Sequence, residues 1–290
     1  MSAMMQESNA GFHGGHKSDR AEVPSLLTPF PVDNPERSVS LVIPAYNEED
    51  RLGATLESYL PVLERLALPF EVIVIFDGSD NTPSVAKRYA NRSVVCHSYD
   101  HKLGRGGAIF EGFRLALYSV IAYADADGSV PASDFEKILA AVLTGSPVAI
   151  ASRRLLPEMV AVPETALRRF MATGWYVLVR VVLGVRVKDS HCGLKVFRRD
   201  VVNSIILRRV RVSNRTFEVG MIYHIQSAGI PVTEIPVRYV HDFRTRMPLA
   251  RALPVMFLTL LGIFLANIVL PKATAASSFL LGLNERFSSI

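Results

Sequence analysis

The sequence predicts an α/β protein with a mostly parallel sheet and helices on both of its faces. Three observations carry that expectation. Short apolar runs alternate with helix-length segments along residues 38–152. The runs are apolar at nearly every position, as in strands covered on both faces, without the polar alternation of a half-solvated sheet. Polar clusters follow the runs, at the strand ends where open α/β sheets bind ligands.

The first strand is Ser38–Ile43 (SVSLVI), expected to stop at Pro44. A helix over Glu48–Leu66 places Leu52, Leu56, Tyr59, Leu60 and Leu63 on one side. Glu71–Phe76 (EVIVIF) is a second buried strand, closed by the turn signal Asp77-Gly78-Ser79-Asp80. A helix over 82–90, a strand over Ser93–Ser98 and a helix over 106–118 follow. Val120–Ala124 is a strand feeding Asp125-Ala126-Asp127-Gly128; Asp134–Leu143 is a helix and Val148–Ser152 a strand. The second half is less regular. Residues 165–185 are mostly apolar with Arg168, Arg169 and Arg180 interspersed, an interfacial helix by pattern; a helix is expected over 215–228 and a strand over 232–238. Ala252–Leu270 then runs nineteen residues without a charge. As a helix it would reach roughly 28 Å, close to the hydrocarbon thickness of a bilayer.

The 290 residues are 49% hydrophobic, enough for a sizeable core. Net charge is +5 and the pI about 9.3, which fits nucleic acid, anionic lipid or phosphorylated substrates, and equally plain solubility. The basic residues lack interleaved aromatic platforms and any recognition module, which argues against nucleic acid. Cys96 and Cys192 lie far apart with no metal spacing, so a reducing compartment is expected. Residues 1–35 are polar, contain no signal-peptide core and are expected to be a disordered tail. The expected organisation is that tail, a catalytic domain over 36–245, and an apolar helical region over 246–290.

Asp125 and Asp127, one residue apart at a strand end, can hold a hard divalent cation such as Mg²⁺ or Mn²⁺, which prefers oxygen ligands and shares them with substrate phosphates. Asp77 closes the second strand; it can receive hydrogen bonds from a base or ribose, or form an Asx turn or helix cap, a role open to Asp80 as well. His101–Ala108 is a basic, glycine-rich loop before a helix, where Lys102, Arg105 and backbone N–H groups favour anions. It has neither the phosphate-loop nor the dinucleotide spacing.

Together these pieces resemble the family-2 glycosyltransferases of the GT-A fold. The resemblance rests on Pro44-Ala45-Tyr46-Asn47-Glu48, Asp77-Gly78-Ser79, the Lys102–Ala108 loop, Asp125-Ala126-Asp127, and Asp189-Ser190-His191-Cys192-Gly193-Leu194-Lys195. The last stretch is similar to the D-[ST]-Q-x-G-F-K segment of dolichyl- and polyprenyl-phosphate glucose or mannose synthases. The resemblance covers residues 38–245 and implies an inverting transfer of a hexose from UDP-glucose or GDP-mannose to a lipid phosphate. It implies that Pro44, Tyr46 and Glu48 line the nucleotide pocket and that Asp77 meets the base or ribose. It places Asp125 and Asp127 at the metal and diphosphate, Arg153 near phosphate, and Asp189 as the acid proposed for a catalytic base. The chain departs from the pattern at Phe76, Ser129, His191 and Gly220, where the family often has Asp, Gln, Gln and Glu.

A lipid-phosphate acceptor needs cations beside an apolar surface. Arg168, Arg169, Arg244, Arg246 and Arg251 open the two apolar stretches. Arginines before 252–270 and Lys272 after it place the catalytic domain in the cytoplasm, on a membrane surface. The stretch alternatively packs as a buried helix, between protomers of a homo-oligomer if one forms. A non-lipid acceptor and a nucleotide-sugar-binding protein without turnover remain as rivals.

Overall fold

The computed structural model describes residues 37–159, 166–210, 217–240, 257 and 260–265. The expectations for 1–35 and for Arg244, Arg246 and Arg251 lie outside the described residues, as does most of 252–270.

Among the described residues seven strands form one sheet: β1 (Val39–Ala45), β2 (Phe70–Phe76), β3 (Val94–Ser98), β4 (Val120–Ala124), β5 (Val148–Ser152), β6 (Leu194–Arg198) and β7 (Thr233–Pro236). Their spatial order is β3-β2-β1-β4-β6-β5-β7. Every neighbouring pair is parallel except those of β6, which is antiparallel to both β4 and β5. The chain winds outward from β1 through β2 to β3 and then crosses back to β4. The carboxyl ends of β1, β2 and β4 therefore flank a topological switch point, where such sheets form crevices.

The helices among the described residues include α1 (Leu52–Arg65), α2 (Thr82–Lys87), α3 (Gly104–Leu115), α4 (Ala132–Leu143), α5 (Ala166–Leu183), α6 (Arg199–Val201), α7 (Leu207–Arg209) and α8 (Phe217–Ser227), with a π-helical stretch, Val202–Ile206, between α6 and α7. Successive strand residues face opposite sides, and two cores result. Val39, Leu41, Ile43, Val72, Val74, Val120 and Ala122 pack with α1, α2 and α4. Val42, Ile73, Ile75, Ile121, Tyr123 and Ile150 pack with α3, α5, the π-helical stretch and α8. Helices on both faces are thus present.

Several boundaries moved. β1 continues through Pro44 to Ala45, because Pro44 and Ala45 stay in register with Ile75 and Phe76. α1 starts at Leu52 rather than Glu48, since Asn47 takes a positive φ of 56° and breaks the chain direction. β6 was not expected from sequence. Its Lys195 and Arg198 break the apolar run, yet both are buried: Lys195 Nζ donates to the Tyr123 hydroxyl and the Cys192 carbonyl, and Arg198 pairs with Asp200.

Among the described residues no helix is long and apolar enough to cross a membrane. The described part of the C-terminal stretch, 260–265, turns Leu260 inward, with Ile263 and Phe264 packed on the second core, while Leu261 and Leu265 are exposed.

Candidate active site

The loops after β1, β2 and β4 meet, and the backbone explains why. The Asn47 side chain accepts a hydrogen bond from the Ser79 N–H at 2.9 Å, tying the first loop to the second. A Cβ on Gly78 would lie 2.3 Å from Asn47 Oδ1, so only glycine allows this approach. Thr55 Oγ1 donates to the Ala126 carbonyl and Tyr59 Oη to the Val130 carbonyl, each at 2.7 Å, so α1 fixes the loop after β4.

On this frame the expected residues sort into three groups. At the mouth, Tyr46 is half exposed and Lys102 Nζ stands 4.1 Å from its ring centroid, a cation–π pair across two loops. Pro44 is buried and shapes the strand end beneath Tyr46. Glu48 is held by both Nε and Nη2 of Arg51 at 2.6 Å. Burial outweighs that pairing, and Asp127 and Asp125 add negative potential, so the Glu48 carboxyl is pushed up to about 7. Asp77 is buried and its Oδ2 accepts the Gly104 N–H at 2.7 Å. That bond holds the start of α3, where Gly104 has a φ of 68°. Asp80 supplies the turn before α2, accepting from the backbone N–H and hydroxyl of Thr82.

At the centre, Asp125 Oδ1 accepts from Arg105 Nε at 2.8 Å, and Arg105 Nη1 donates to Glu218 on α8. Arg105 thus lies between two carboxylates. Burial raises the pKa of Asp125, against the lowering effect of Arg105. Burial also opposes ionisation of Glu218, but Arg105, Lys195 and His191 overcome it and hold that carboxyl down at about 2. The Asp125 carboxylate lies against Gly193, where a Cβ would fall 1.8 Å from Oδ2. Asp127 Oδ1 accepts the Ser129 N–H at 3.0 Å; among the described residues its Oδ2 has no hydrogen bond.

On the far side, Asp189 is almost fully buried and grips Arg153 three times: from its backbone N–H at 3.0 Å, Nε at 2.7 Å and Nη2 at 2.9 Å. Burial opposes its charge, but Arg153 holds the carboxyl well below the usual range. Arg153 also stacks over the Tyr239 ring at 4.9 Å. Arg153 therefore holds the Asp189 carboxylate in one orientation. Arg168 and Arg169 lie in the first turn of α5.

Sequence reasoning did not assign Tyr123, Lys195 or Glu218 to the site. Tyr123 and Lys195 face each other across β4 and β6, and Glu218 arrives from α8. Lys195 closes the Asp189–Lys195 segment that carries the resemblance, and for Glu218 the signal was a charged residue inside an apolar helix.

A divalent ion fits this chemistry. Among the described residues no group of three or more His, Cys, Asp or Glu side chains could hold a metal. Two carboxylates, one with an oxygen left open, suit an ion that completes its shell with diphosphate oxygens and water.

A mostly parallel α/β sheet with acids at its switch point is an arrangement that open α/β proteins use to bind ligands, and comparison with known proteins gives the family. Residues 40–206 match the family described as Glycosyl transferase family 2, and the chain belongs to that family. It is 29% identical to a dolichyl-phosphate beta-glucosyltransferase of Drosophila melanogaster, covering 76% of this chain and 72% of the relative. It is 31% identical to another so named from Trichomonas vaginalis, covering 76% and 71%. Among solved structures, mannosyl-3-phosphoglycerate synthase from Rubrobacter xylanophilus shares the fold with a TM-score of 0.61 at 21% identity, covering 79% and 74%. Glucosyl-3-phosphoglycerate synthase from Mycobacterium tuberculosis, crystallised with Mn²⁺, UDP-glucose and phosphoglyceric acid, does so with 0.57 at 16%, covering 79% of each chain.

Proposed function

We propose that this glycosyltransferase moves glucose from UDP-glucose to a dolichyl or polyprenyl phosphate at a membrane surface, with inversion at the anomeric carbon and with Mg²⁺ or Mn²⁺. The observation that carries the reading is the placement of Asp77 directly after β2, and of Asp125 and Asp127 directly after β4, in a chain this similar to dolichyl-phosphate beta-glucosyltransferases.

In this reading Tyr46, Lys102 and Asp77 line the nucleotide side, with Glu48 and buried Pro44 shaping it. Asp127, through its open oxygen, and Asp125, oriented by Arg105, hold the ion, which neutralises charge on the departing diphosphate when bound. Arg105 lends positive potential to the same place. The acceptor phosphate has a second pKa of about 6 and arrives already anionic at neutral pH. No strong base is needed. Asp189 keeps Arg153 in one orientation, and Arg153 faces the phosphate. Positioning and charge stabilisation then supply the rate. Arg168, Arg169, Arg244 and Arg246 meet the lipid phosphate. The apolar side of α5, where Phe170, Val177 and Val181 are exposed, lies on the membrane, with the catalytic domain on the cytoplasmic side.

The test offers purified protein in detergent UDP-glucose or GDP-mannose, with polyprenyl phosphate and either metal. Organic-phase label from UDP-glucose, lost with a chelator and β-linked to the lipid, is the expected result. Transfer from GDP-mannose alone, or no lipid-linked product, would overturn the assignment.

A further inference from the structure

Among the buried polar atoms beside the site that have no partner in the described residues, Nε2 of His191 and Nε1 of Trp175 lie on facing rings. Buried polar groups are nearly always hydrogen-bonded, so two orphans on touching side chains require an explanation. The rings meet edge to face, 6.1 Å between centroids at 66°. They come from separate parts of the chain: Trp175 from α5, His191 from the turn before β6.

The place is central. The His191 N–H donates to Asp189 Oδ1 at 3.3 Å, and two residues on, Gly193 lies against the Asp125 carboxylate. Glu218, Asp189, Lys195 and Arg153 all act electrostatically on the His191 ring. His191 thus stands between the Asp125–Arg105–Glu218 group and the Asp189–Arg153 pair. Its Nδ1 is engaged with the Ser190 hydroxyl at 3.0 Å, which leaves Nε2 for a ligand.

The chemistry selects the ligand. Burial lowers the His191 pKa, so the ring is neutral at pH 7. The indole N–H is neutral and can only donate. The nearby cations are engaged: Arg153 by Asp189, and Lys195 by the Tyr123 hydroxyl and the Cys192 carbonyl. A phosphate site would present free arginine or lysine. An indole donor beside an imidazole nitrogen suits an uncharged hydroxyl, which can both accept and donate.

We propose that Trp175 and His191 form the subsite that reads a hydroxyl group of the donor hexose. The pair is then a specificity determinant, separate from the groups that hold the nucleotide and the ion. The inference rests on the nucleotide-sugar reading above but not on the identity of the acceptor.

Calorimetric binding of UDP and of UDP-glucose to the full chain, with Mn²⁺ and without acceptor, tests it. Trp175→Phe keeps the ring contact and removes the N–H; His191→Leu removes the imidazole, and His191→Gln restores a polar group. The expected result is UDP affinity within twofold of wild type in all three. UDP-glucose should bind about tenfold more weakly to Trp175→Phe and His191→Leu, with recovery in His191→Gln. Unchanged UDP-glucose affinity would overturn the proposal. So would an equal loss for UDP and UDP-glucose, or loss of the fold in the variants, since either marks a packing role. Failure of lipid transfer by a wild type that still gains affinity from the hexose would overturn the acceptor assignment and leave this subsite standing.

Discussion

Replacing Arg105 with methionine removes the one guanidinium shared by Asp125 and Glu218. The side chain of Glu218 is 4% exposed, against 34% for Arg105, so the carboxylate left behind cannot reach water. Stranding a buried charge in this way costs about 3–5 kcal/mol. Lys195 remains nearby and water reaches the Arg105 side, which places the expected loss at about 3 kcal/mol. Glu218→Gln alone should cost about 2 kcal/mol, because Arg105 keeps Asp125. The double variant should cost about 3 kcal/mol rather than the sum, a coupling of about 2 kcal/mol. Urea unfolding at pH 7 measures all three. The coupling also has a pH signature. Glu218 is held at about 2, below its ordinary 4.5. Its contribution is therefore full above pH 4.5 and fades as pH falls toward 2. The cost of Arg105→Met should shrink over that same window. Additive effects within about 0.5 kcal/mol, or a cost independent of pH, would refute the buried-pair reasoning.

Three further outcomes follow from the same geometry. Glu48, raised to about 7 by burial, works in the opposite sense: its neutral form favours the fold, and that contribution is lost as pH rises through 7. Glu48→Gln should flatten the decline of Tm between pH 5 and 8, and an unchanged slope would count against the raised value. Gly193→Ala sets a Cβ 1.8 Å from Asp125 Oδ2, so the carboxylate must turn from Arg105. Overpacking should cost about 1–3 kcal/mol, and kcat/KM should fall about 100-fold or more; near-normal turnover would show that Asp125 needs no fixed orientation. Asp189→Asn should lower kcat while leaving the acid limb of the pH–rate profile in place, whereas loss of that limb would identify Asp189 as a base.

Most of the sheet was legible because burial on both faces leaves an unbroken apolar run, as in β2, β4 and β5. β6 was not, because its sequence carries Lys195 and Arg198, and their burial depends on Tyr123, Cys192 and Asp200. Pro44 reads as a stop, yet it lacks only a backbone N–H and its register with Ile75 survives. The acids after the strands were legible since loops at strand ends are short and local. Their partners were not. Arg105 belongs to a loop that reads as phosphate-binding, and its carboxylate on α8 lies 113 residues away. Nothing in the local sequence names a partner for Asp189; the fold pairs it with Arg153, 36 residues earlier. Such long-range choices follow from strand order, which no local pattern encodes.

The most direct test of the account compares wild type with Asp127→Ala for glucose transfer from UDP-glucose to polyprenyl phosphate, with UDP binding measured alongside. The account predicts lipid-linked glucose from wild type, at least a 100-fold lower rate from the variant, and UDP binding retained without metal in both. Equal rates from the two proteins would contradict it, because the open carboxylate at the end of β4 would then have no part in the reaction.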